Sequence, residues 1–136
     1  MKEVEFRAWD LKDKRMYHKV GIVGTLIILE HDQSGYEFSE LDLKSYDDID
    51  NNYDLMQYTG MKDKNDEKIF EGDIVNFLHP LGFYDKSVIV WEEKKAQFKI
   101  VPLSVYKINA GNGKWTGFPL YRSQTEVIGN IYEEQN

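Results

Sequence analysis

The stretch YTGMKDKNDEKIFEGDIVNF, Tyr58 to Phe77, decides how the chain is read. It crosses a charged run, Lys62 to Glu67, and ends where Glu71-Gly72-Asp73 meets the aliphatic pair Ile74-Val75. On a straight strand, residues two apart point the same way, so Glu71 and Asp73 could cooperate as an acid/base or metal-binding pair. Alternatively, Gly72 takes up a left-handed corner that turns the two side chains apart. Ile74-Val75 then starts a strand, and Asp73 accepts backbone N–H groups left unpaired by the turn. No base, nucleophile or metal ligand accompanies the pair, which favours the corner.

Outward from this corner the chain is punctuated like a β protein, with apolar alternation broken by short polar turns. "SVIVWEE" and "QFKIVPL" read as a strand pair around a charged Glu92–Lys95 turn, Asn112-Gly113 is a tight-turn signal, and "EVIGNIYEE" supplies a last strand. Five or more short strands at this spacing suggest a small barrel. Toward the N-terminus, "KEVEFRAWD" places Val4, Phe6 and Ala8 on one side of a strand and Glu5, Arg7 and Trp9 on the other. "LKDKRM" reads as a hairpin loop, and Gly21 and Gly24 permit a bend or bulge before the buried run Leu26–Leu29. The polar stretch from His31 to Asp54 marks a boundary near Asn51 and Asn52, giving an N-terminal β-rich subdomain at 1–52 and a second subdomain at 53–136. Within that stretch, Ser39 could cap a short helix over Ser39–Lys44.

The 136 residues suffice for one domain-sized core, and 41% apolar with 14% aromatic residues is too rich for disorder despite 30% charged side chains. A net charge of −7 opposes nonspecific attraction to a phosphate backbone. Without cysteine there are no disulfides or thiolate metal sites, and no segment reads as a signal h-region or transmembrane span. The expectation is a cytoplasmic protein with no membrane partner.

Tests for chemical motifs fail in turn. Asp48, Asp50 and Asn52 alternate as in a calcium loop, but Tyr53 stands where glycine is needed and Thr59 where glutamate is needed. Asp63, Asn65 and Glu67 fail the same test at Lys68 and Ile74. His18, His31 and His79 are scattered, no serine sits in a nucleophile-elbow pattern, and Gly113-Lys114 lacks the glycine and hydroxyl of a phosphate loop. No metal or cofactor is expected. The aromatics could stack on single-stranded nucleic acid, and Lys94, Lys95, Lys99, Lys107, Lys114 and Arg122 enrich the C-terminal half in bases, yet core packing explains the rings as well. Asp47–Asp54 and Glu133-Glu134 are dense enough in carboxylates to suggest a phosphate-mimicking decoy, or simply a solvated face.

Three segments together carry a family resemblance: "FRAWD" (Phe6–Asp10), "MQYTGMKDKNDEKIFEGDIV" (Met56–Val75) and "EVIGNIYE" (Glu126–Glu133). In order and spacing the chain resembles the YopX family, small proteins encoded by bacteriophages and prophages. The resemblance implies a mainly β protein with an N-terminal β subdomain packed on a C-terminal, SH3-like small barrel, working inside the host bacterial cell. It implies no activity, since fold alone does not supply one. Structural roles are expected for Gly60, Gly72, Asp73, Gly129 and Asn130, and a partner surface at Lys62, Asp63, Lys64 and Asn65. The expected role is that of a non-enzymatic accessory protein that binds a host or phage protein or associates with itself. The alternatives are a nucleic-acid-associated protein of phage replication or regulation, and a small metal-dependent hydrolase using Glu71 and Asp73.

Overall fold

A computed structural model describes residues 3–31, 40–45, 52–109, 117–120 and 125–133. The protein is mainly β, and every strand pairing is antiparallel. The chain divides into two compact units, Met1–Gln57 and Tyr58–Asn136. The division falls inside a strand rather than at the polar Asn51-Asn52 join, because that strand, β5 (Tyr53–Lys62), pairs with one neighbour through its first half and another through its second.

In the first unit the strands lie in the order β4 (Glu40–Ser45), β3 (Leu26–His31), β2 (Arg15–Val23), β1 (Phe6–Asp10) and the first half of β5. Strand β1 is central, with Trp9 facing Met16 on one side and Asp54 on the other. Burial accordingly runs without a break from Arg7 to Asp10 instead of alternating. Gly24, at φ 59, begins the two-residue turn that sets Val23 opposite Leu26. Only the alternate residues of the Leu26–Leu29 run are fully buried: Ile27 and Leu29 join Ala8 and Tyr17 in the core. Residues 40–45 are extended, not helical. Pairing with all six residues of β3 outweighs the weak helical tendency of so short a segment.

The second unit holds a five-stranded sheet in the order β10 (Phe118–Pro119), β9 (Gln97–Pro102), β8 (Tyr84–Glu92), β7 (Asp73–Leu78) and β11 (Thr125–Asn130). Strands β10 and β11 remain its edges, so the sheet does not close into a barrel. Both faces are covered, which is why "SVIVW" reads as a continuous apolar run. Val75, Phe77, Ile89 and Ile100 pack on one face with Ile69 of β6 (Lys68–Phe70) and with Met61. On the other face, Ile74, Val88, Val90 and Val101 meet Leu103, Val105 and Tyr106 of a short helix, α1 (Leu103–Asn109). Seven residues are too few to hold a helix in water, so burial of this face sustains it. The expected turn at Asn112-Gly113 lies outside the described residues.

Candidate functional site

Strand β7 starts at a corner. Gly72 has φ 81, a conformation that costs a side-chain-bearing residue about 1–2 kcal/mol. Its N–H donates to the Ile89 carbonyl at 2.9 Å, and its own carbonyl accepts the Ile131 N–H at 2.9 Å. Asp73 is buried, and its Oδ2 accepts the Phe70 N–H at 2.8 Å across the turn. One carboxylate oxygen is thus committed to backbone, while Glu71 on the far side of the glycine is half-buried.

The same device recurs in each of the three family-like segments. At the end of "FRAWD", buried Asp10 accepts through Oδ1 the N–H groups of Lys12 and Asp13, at 2.9 and 3.0 Å, and its carbonyl takes the Lys14 N–H at 2.9 Å. In "EVIGNIYE", Asn130 Oδ1 accepts from Tyr132 and Glu133 N–H, while its Nδ2 donates to Glu133 Oε2 at 3.0 Å. Asx side chains favour such turns because their oxygen reaches the backbone two or three residues on.

Asp63 carries the device furthest. It is fully buried, although it lies in the charged loop that the sequence reading offers as partner surface. Oδ1 accepts from Asn65 N and Glu67 N at 2.8 and 2.9 Å, and Oδ2 accepts from Val127 N at 2.8 Å, 64 residues along the chain. A further bond joins Lys64 N to the Thr125 carbonyl at 3.1 Å. The loop therefore occupies the position of a neighbouring strand on the outer edge of β11, satisfying groups that an open edge would expose. Lys64 adds an ion pair with Glu126 at 2.8 Å, and that contact raises the lysine pKa above its ordinary 10.5. Of the four loop residues, Lys64 and Asn65 are exposed, Lys62 is half-exposed, and Asp63 is inaccessible.

The remaining sequence candidates sit apart. Gly60, at φ 85, lies in β5 where the pairing with β6 shifts register, and Gly129 lies at a shift between β11 and β7. Ser87 is 1% exposed, closed to any substrate, and His18 projects from β2 into solvent. No group of three His, Asp or Glu side chains that could hold a metal ion occurs among the described residues. Asp48 and Asp50, and most of the Asp47–Asp54 acidic run, lie outside them.

The surface feature that sequence reasoning missed is the tip of the β7–β8 hairpin, "HPLGFY" (His79–Tyr84). Leu81, Phe83 and Tyr84 are 81%, 49% and 61% exposed, three large apolar side chains side by side. The tip is nevertheless ordered by local bonds: His79 N–H to the Phe83 carbonyl and Gly82 N–H to the His79 carbonyl, both 2.8 Å, and Leu81 N–H to His79 Nδ1 at 3.0 Å. Phe83 stacks on the His79 ring at 4.4 Å between centroids, and that ring stands edge-on to Phe118 and Phe77, which belong to the core. A rigid, apolar, exposed tip is what a binding surface with little ordering cost requires.

These features define a class: a mainly β protein of two units whose turns are fastened by buried Asp and Asn side chains, with a braced apolar hairpin at its surface. The chain belongs to the YopX protein family, whose sequence pattern matches residues 5–136. It is also similar to the crystal structure of protein EF1440 from Enterococcus faecalis, with 27% identity and a TM-score of 0.57 over 98% of this chain and 96% of that one. No curated protein matches it.

Proposed function

We propose that the protein is a non-enzymatic binding module that engages another protein through the hairpin tip at Leu81, Phe83 and Tyr84. The exposure of these three side chains on a braced turn is the observation that carries the reading. Aromatic anchors on rigid turns supply much of the affinity of protein interfaces at low conformational cost. The reading is further supported by Asp10, Asp63, Asp73 and Asn130, each of which gives at least one side-chain oxygen to backbone N–H groups. It agrees with an accessory role for a phage or prophage in the bacterial cytoplasm, the role implied by the family resemblance. An SH3-like use of the five-stranded sheet, as a stiff frame that offers its hairpin loops, fits the same picture.

A photo-crosslinking residue at position 81, compared with one at exposed position 12, tests the reading in bacterial cells. A discrete, nuclease-resistant protein adduct at 81 and none at 12 is expected. Adducts to nucleic acid alone, or an identical pattern at both positions, would sink it.

A further inference from the structure

A second feature of the Tyr58–Asn136 unit lies on the helix-covered face of its sheet. Ile74 of β7, Leu103 and Tyr106 of α1, and Ile131 beyond β11 line a half-open cavity of about 240 Å³, together with Lys86 and Lys107. That size is just below the roughly 300 Å³ at which pockets for drug-sized ligands begin, so the occupant is small. The floor is aliphatic and aromatic, yet both charged residues in the wall are cations, in a protein of net charge −7. Two lysines from different elements, Lys86 on β8 and Lys107 on α1, line the apolar hollow, and no carboxylate does. Lysine stems extend an apolar wall while the heads stay at the mouth. Such a site is complementary to a molecule with an apolar body and an anionic end.

We propose that this cavity binds a small amphipathic carboxylate, its hydrocarbon part against Ile74, Leu103, Tyr106 and Ile131 and its carboxylate between Lys86 and Lys107. The helix α1 forms one wall of the site, so the ligand also tightens a segment too short to be stable alone.

Titration of the full chain with octanoate, followed by ¹H–¹⁵N NMR, tests the assignment, with octanol as the uncharged probe of equal length. Octanoate is expected to give saturable shifts at Ile74, Leu103 and Ile131, and octanol to bind about tenfold more weakly or worse. Lys86 and Lys107 are exposed, so K86Q/K107Q should keep the wild-type spectrum elsewhere and lose the preference for the anion. A second variant, Leu103→Trp, fills the cavity and should abolish the shifts while its own amide spectrum away from the cavity stays that of the folded wild type. The proposal is overturned if octanoate produces no saturable shifts, if they map to other residues, or if octanol and octanoate bind the wild type equally.

Discussion

Replacing Asp63 by asparagine preserves the size of the side chain and removes one acceptor. The amide oxygen can serve the Asn65 and Glu67 N–H groups, which leaves its NH₂ facing the Val127 N–H where the carboxylate accepted at 2.8 Å. One charge-assisted bond, worth about 1.5–3 kcal/mol, becomes a donor–donor contact, and the two surviving bonds weaken as the charge is lost. The expected total is about 2–4 kcal/mol. At roughly 4 °C per kcal/mol for a unit of this size, the melting temperature falls by about 8–15 °C. Asp63→Ala frees three donors, but water reaches the two in the exposed loop, so about 3–5 kcal/mol is expected. Asp66, in the same loop with a side chain 67% exposed, is the control, and Asp66→Asn should cost less than about 0.5 kcal/mol. Calorimetry gives the global effect, and hydrogen exchange at the Val127 amide gives the local one. An Asp63→Asn protein that melts within about 2 °C of wild type and keeps Val127 protected would refute the reasoning.

Further expectations concern other fastenings. Gly72→Ala should cost about 1–2 kcal/mol from its left-handed backbone, and Asp73→Ala about 1–3 kcal/mol by stranding the Phe70 N–H, both read as lowered melting temperatures. Lys99 and Glu92 form an ion pair at 2.5 Å with side chains 8% and 11% exposed, so Glu92→Leu alone should destabilise by about 3 kcal/mol, while Glu92→Leu/Lys99→Met should recover most of that in urea unfolding. The Lys64–Glu126 pair is solvated, and Lys64→Met should not measurably change the melting temperature at neutral pH. Because the lysine pKa is raised, whatever small contribution the pair makes is present at neutral pH and disappears as pH climbs through the raised value, so a difference between the two proteins that grows on acidification would contradict the assignment.

What could be read from the sequence followed from local chemistry. Gly72 before Ile74-Val75 signalled a left-handed corner, and Asp73 a backbone acceptor, because both properties depend on residues within one turn. The hairpin loops after Asp10 and after Glu92 were similarly marked by turn residues between apolar runs, whereas Gly24, which suggested only a bend or bulge, starts a full hairpin turn between β2 and β3. Non-local features stayed hidden. The burial of Asp63 depends on Val127, and no spacing rule connects positions 64 residues apart. Strand β4 became extended because β3 lies beside it, and α1 formed because the Val88–Val101 face needed a cover. The exposure of "LGFY" runs against the expectation that apolar side chains lie inside, and only the placement of the hairpin reveals it. The charged loop drew attention because it looks like surface, yet its central carboxylate fastens the edge of a sheet.

Under the proposed function, the polar residues of the family-like segments serve the fold and the hairpin tip serves recognition. The most direct test is Leu81→Asp/Tyr84→Asp in the tagged protein, compared with wild type in quantitative capture from nuclease-treated bacterial lysate. Both side chains project into solvent, so the variant should melt within about 2 °C of wild type and lose the partner that wild type retains. A folded variant that captures the same proteins in the same amounts would contradict the account.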